Sequence, residues 1–131
     1  MSGTPSRAVA DTSIFVARES GRALGPLPDS IAVSAVTAGE LELGVLRAPD
    51  LATRSKRLAT LTELRAAYPL LEVDALTASC FARIAASELD AGRKLRHHDA
   101  WIAATALRHR VPLVTQDDDF SSFDEVEVIR V

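Results

Sequence analysis

Along the chain, short apolar runs closed by a polar residue alternate with longer stretches in which apolar residues recur at helical spacing. Ala8-Val9-Ala10 stops at Asp11 and Ile31-Ala32-Val33 stops at Ser34, the form of strands buried on both faces. After Ser34 the spacing becomes helical through Glu40, Leu43 and Leu46 and ends near Pro49. Asp50 predicts the N-cap of a second helix, in which Leu51, Leu58, Leu61 and Leu64 share a face before Pro69 stops it. Leu71-Glu72-Val73 reads as a short strand. Asp74 then predicts the cap of a third helix carrying Leu76, Cys80, Phe81, Ile84 and Leu89, with Gly92 as its stop. A fourth helix is expected from about Asp99 through Trp101, Ile102 and Leu107, followed by strands over 111–115 and 126–131.

Strands alternating with helices predict an α/β fold with a mainly parallel sheet covered on both faces. Sheets of this kind bind ligands beyond the carboxyl ends of their strands, and that rule selects particular acids. Asp11 follows the first strand, Asp117 lies just beyond the strand ending at Thr115, and Glu40 lies in the helix entered from Ile31-Ala32-Val33. Asp99 joins them if its helix begins at the same edge. Carboxylates crowded into one cleft repel one another unless a cation or protons are held. The matching ligand is a hard divalent ion, Mg²⁺ or Mn²⁺, which takes oxygen donors and can activate water and neutralise charge on a phosphodiester.

Each acid also has a purely structural reading. Thr37-Ala38-Gly39-Glu40 matches a capping box, Asp99 a helix N-cap, Asp11 an Asx turn and Asp117-Asp118-Asp119 a solvated turn. Glu42 reads as a solvated helix-face residue, His97 and His98 as surface histidines or RNA contacts, and Trp101 as a core residue or a base-stacking platform. Arg93, Lys94 and Arg96 precede Asp99 and could draw a nucleic-acid backbone toward the acids, or simply form a solvated helix end.

Composition narrows the picture. The chain has 131 residues, 47% of them hydrophobic and 25% charged, which fits one soluble domain spanning 1–131. No apolar run approaches the roughly 18 residues of a membrane span, and no signal-peptide core precedes the first strand, so a cytoplasmic location is expected. With Cys80 as the one cysteine, an intramolecular disulfide and a Cys-rich zinc site are excluded. A formal charge of −3 argues against a uniformly basic nucleic-acid coat while leaving room for a local basic groove. Neither GxGxxG nor GxxxxGK[ST] occurs.

At the same residues the chain resembles a known family. Ala10-Asp11-Thr12-Ser13, the stretch from Ser34 to Leu41 with Gly44, Asp99-Ala100-Trp101-Ile102-Ala103-Ala104-Thr105-Ala106, and Leu113-Val114-Thr115-Gln116-Asp117 with Asp119-Phe120 resemble the successive motifs of PIN-domain nucleases. More narrowly, they resemble VapC-type toxins of bacterial toxin–antitoxin pairs. The resemblance implies a three-layer α/β/α sandwich, Mg²⁺- or Mn²⁺-dependent endoribonuclease activity, dimerisation and inhibition by a VapB-type antitoxin. It places the acidic quartet on Asp11, Glu40, Asp99 and Asp117, with Asp119 as reserve for the fourth position, and makes Thr12 and Thr115 supporting hydroxyls. The competing class is a non-catalytic Mg²⁺-binding signalling or protein-interaction module of α/β receiver-like type. Such modules need a lysine after a late strand, whereas the lysines here are Lys56 and Lys94.

Overall fold

A computed structural model describes residues 6–118, 120 and 123–131. Five strands, β1 (Arg7–Ala10), β2 (Ser30–Ser34), β3 (Leu70–Leu71), β4 (Leu113–Thr115) and β5 (Val128–Arg130), form one parallel sheet in the order β3-β2-β1-β4-β5. The helices are α1 (Thr12–Glu19), α2 (Ala35–Leu46), α3 (Leu51–Ala67), α4 (Ala75–Asp90) and α5 (His97–His109). Successive side chains of a strand point to opposite faces, and β1 shows the consequence. Val9 joins Ile84, Ile102 and Leu113 in the core under α4 and α5, while Ala8 and Ala10 join Ile14, Phe15, Leu64 and Val114 under α1 and α3. The sheet is therefore the middle of three layers, as the alternation of elements predicts.

The strand order sets the position of the site. From β1 the chain moves to β2 and β3 on one side, then returns to β4 on the other. Connections leave the carboxyl ends of β1 and β4 in opposite directions, which opens a crevice there. Among the described residues no helix is long and apolar enough to cross a membrane.

Several local expectations are corrected. Helix α1, which the spacing does not predict, starts directly after Asp11, and the expected Asx turn, with the Asp11 carboxylate accepting from the Ser13 amide, serves as its N-cap. The Thr37–Glu40 capping box does not cap α2: Ser34 does, accepting from the Val36 amide, because the chain already turns helical where β2 ends. Asp99 is likewise no cap, since α5 begins at His97 and places it in the first turn. Leu51 is 84% exposed, and Leu58, Leu76 and Leu89 are exposed as well, so only part of each predicted apolar face is covered. Strand β3 is two residues long and leaves out Val73. β4 begins at Leu113 instead of Val111, and β5 spans Val128–Arg130.

Asp50 and Asp74 do cap their helices, accepting from the Thr53 amide at 2.7 Å and the Thr77 amide at 2.8 Å. Those backbone hydrogen bonds hold both carboxyls below their usual range, and Arg108 lowers Asp74 further. A carboxyl depressed in the fold is protonated first in the unfolded chain. The stabilisation from these caps is thus complete above the ordinary carboxylate value of about 3.9 and drains as pH falls below it. Asp74→Asn should melt near the parent at neutral pH, apart from the lost Arg108 pairing, and its melting temperature should fall less between pH 5 and pH 3. Melting curves across that range check it, and parallel losses in both proteins would count against the assignment.

Candidate active site

The site is built where β1 and β4 end. Asp11 is 3% exposed and accepts two hydrogen bonds on Oδ2, from the Ser13 amide at 3.2 Å and from Thr115 Oγ1 at 2.9 Å. Both bonds fall on one oxygen, which leaves Oδ1 as the carboxylate oxygen not used in holding the side chain. Thr115 is buried at the end of β4 and accepts in turn from the Asp117 amide at 3.0 Å. Ser13 Oγ lies 3.1 Å from Thr115 Oγ1 and accepts from the Gln116 amide at 2.9 Å. A set of hydroxyls thus ties the two strand ends together around one carboxylate.

Thr12 extends this set to α2. Its hydroxyl donates to Glu40 Oε1 at 2.9 Å and lies 3.1 Å from Thr37 Oγ1. Glu40 Oε2 is 3.4 Å from His98 Nδ1, which brings α5 to the same edge. Asp99 Oδ2 accepts from Arg96 Nη1 at 3.0 Å. Glu40 and Asp99 line one open cleft with Arg96, His97 and His98. The topological condition for Asp99 is therefore met: its helix begins at the edge where Glu40 stands.

Other candidates are placed differently. Asp117 is exposed just beyond β4, and Asp119 lies outside the described residues. Arg93 does not line the cleft and forms a two-pronged ion pair, through Nε and Nη2 at 3.0 Å each, with the buried Glu88. That pairing raises the Arg93 pKa. Lys94 is exposed in the loop before α5. Glu42 pairs with Arg65 across α2 and α3, as befits a helix-face residue. Ser13 and Thr37 are the site hydroxyls that sequence reasoning passed over. The available signals were the position of Ser13 inside Asp-Thr-Ser and of Thr37 one turn before Glu40.

The donor set fits a hard divalent cation by its chemistry, being made of carboxylate and hydroxyl oxygens with no thiol. Among the described residues, no three His, Cys, Asp or Glu side chains stand close enough in this arrangement to hold one ion. Glu40 and Asp99 instead have His98 and Arg96 beside them.

Comparison with known proteins agrees with this architecture. The PIN domain family model matches residues 8–126. The chain is 45% identical to "Ribonuclease VapC5" of Mycobacterium tuberculosis over the full length of both proteins. It is 37% identical to "Ribonuclease VapC4" of the same organism, over 95% of this chain and 97% of that one. Among solved structures it superposes with TM-score 0.88 and 41% identity on a chain of VapBC-5, a member of the VapBC family of toxin–antitoxin systems from Mycobacterium tuberculosis. That match covers 97% of this chain and 100% of the other.

Proposed function

Because the chain belongs to the PIN-domain family, and within it to the VapC type, we infer that it is an endoribonuclease, the toxin of a toxin–antitoxin pair. The observation that carries this reading is the buried Asp11 fixed by Thr115 at the β1–β4 crevice, with Glu40 and Asp99 facing the adjoining cleft. Residues 1–131 act as one nuclease domain. Asp11, Glu40, Asp99 and Asp117 would hold Mg²⁺ or Mn²⁺, with Asp119 in reserve for the fourth position. A bound ion of this kind supplies Lewis acidity at the phosphate and raises the acidity of water.

The chain's own residues do the rest. Thr115 and Ser13 fix the rotamer of Asp11, and Thr12 does the same for Glu40, so the carboxylates meet their ligand without reorganising. Arg96, on the cleft wall, can exchange Asp99 for a substrate phosphate, two of whose oxygens a guanidinium can meet at once. Lys94 adds diffuse attraction, whereas Arg93 is committed to Glu88 and supports the loop that carries the other two. The partner that restrains this activity is a VapB-type antitoxin, and the toxin acts as a homodimer in the cytoplasm. A receiver-like module is disfavoured, since Lys56 lies on α3 and Lys94 precedes α5, neither following a late strand.

Incubation of the purified chain with single-stranded RNA should give internal cleavage with Mg²⁺ or Mn²⁺ and none in EDTA. An independent readout is thermal: ion at about 100 times its dissociation constant should stabilise the fold by about 2.7 kcal/mol, several degrees of melting temperature. Undiminished cleavage in EDTA, or a melting curve indifferent to both ions, would overturn the metal assignment.

A further inference from the structure

In the cleft that holds Glu40 and Asp99, the His97 ring is backed by aromatic packing that the acids do not require. Phe81 of α4 lies against Trp101 of α5 with ring centroids 4.0 Å apart and planes 11° apart. The same Phe81 ring is 6.4 Å from the imidazole of His97, at 30°. His97 and Trp101 are one helical turn apart on α5, so Phe81 meets both from the facing helix. Phe81 and Trp101 are half-buried, and their contact serves packing between α4 and α5. His97 differs, being exposed and lining the cleft beside Arg96 and Asp99. An exposed ring backed by one packed ring, Phe81, offers a π-face whose orientation is already restricted, so docking a second flat ring on it costs little further entropy.

Resting on the ribonuclease reading, we propose that His97 is a base-stacking residue: a nucleobase neighbouring the backbone phosphate that Arg96 meets at the Glu40–Asp99 cleft packs on its imidazole. The division of labour follows from chemistry. Arg96, which also lies 5.4 Å over the Phe123 ring, meets backbone charge, while His97 meets the base. Every nucleobase has a π-face, so this contact selects for unpaired RNA and not for a particular sequence. A duplex keeps its bases stacked on one another and gains nothing from it.

The test measures binding in EDTA of a fluorescein-labelled single-stranded RNA of mixed sequence, beside the same strand paired into a duplex. His97→Ala should weaken single-strand binding about tenfold, as loss of one base–aromatic stack does, and leave duplex binding unchanged. His97→Phe, which keeps a ring and discards the imidazole nitrogens, should stay near the parental affinity. Melting temperatures of both variants should match the parent, since the side chain is exposed. Parental affinity in His97→Ala, or equal weakening in His97→Ala and His97→Phe, would overturn stacking. Either result, with a parent that still cleaves RNA in Mg²⁺ or Mn²⁺, leaves the ribonuclease reading standing. A parent that cleaves in neither would remove both.

Discussion

Asp11→Asn is expected to reduce RNA cleavage to the level of the parent in EDTA while leaving the fold as stable as before. The side chain has two separable duties. As the N-cap of α1 it needs only an oxygen to accept from the Ser13 amide, and asparagine is as good a cap as aspartate. The amide oxygen can also take the bond from Thr115, so the Ser13 and Thr115 donors both keep their acceptor. What changes is the other atom. In place of Oδ1 the variant carries an NH₂ group, a donor where an anionic acceptor stood, and a donor cannot ligate a cation. Removing a buried negative charge also relieves repulsion from the neighbouring acids, so in EDTA the variant should melt no lower than the parent. The rise in melting temperature with Mg²⁺ should be lost. Asp118→Asn is the control: Asp118 is exposed and pairs with Arg130, outside the proposed quartet. Equal cleavage by Asp11→Asn and Asp118→Asn would remove Asp11 from the reaction.

The placement of Asp11 and Glu40 beyond the strand ends was legible in the sequence because parallel α/β topology needs only local information. Where each strand stops can be read from Ala8-Val9-Ala10 and Ile31-Ala32-Val33, and the residues just beyond are then forced to one edge. The caps Asp50 and Asp74 were legible for the same reason, since each carries out its role within three residues. Helix α1 was not, because it is eight residues long, buries only Ile14, Phe15 and Ala17, and opens on an Asp-Thr-Ser that also suits a turn. The repeated cap signal near α2 misled: Ser34 and Thr37 each suit a cap, and only the path of the chain out of β2 decides between them. Periodicity placed Leu51 and Leu58 on a face but could not say whether anything covers that face. The pairing of Arg93 with Glu88 and the meeting of Phe81 with His97 depend on how chain turns and helices pack, which no spacing rule records.

Thr115→Val should lower cleavage about 10- to 100-fold, the usual cost of losing a residue that orients a metal ligand. Valine matches threonine in shape, so no cavity opens and the strand is undisturbed. The hydroxyl, however, occupies the centre of the site's hydrogen bonding. It donates to Asp11 Oδ2, accepts from the Asp117 amide and contacts Ser13 Oγ, within 3.1 Å in every case. Its removal frees Asp11 to leave the rotamer that suits the ion, and deprives the Asp117 amide of its acceptor at the start of the turn carrying another proposed ligand. Leaving these buried groups short of a partner should also cost about 1–3 kcal/mol of stability. Thr115→Ser separates the two effects. It keeps the hydroxyl and discards a buried methyl, so it should lose about 1 kcal/mol of stability yet retain most of the cleavage rate. The two variants are then similarly destabilised and differ in activity, with the valine variant also needing more Mg²⁺ for half-maximal cleavage. If the serine variant loses as much activity as the valine variant, packing at β4 and not the hydroxyl supports the site. If the valine variant cleaves at the parental rate with an unchanged Mg²⁺ requirement, Thr115 has no part in holding Asp11 for catalysis.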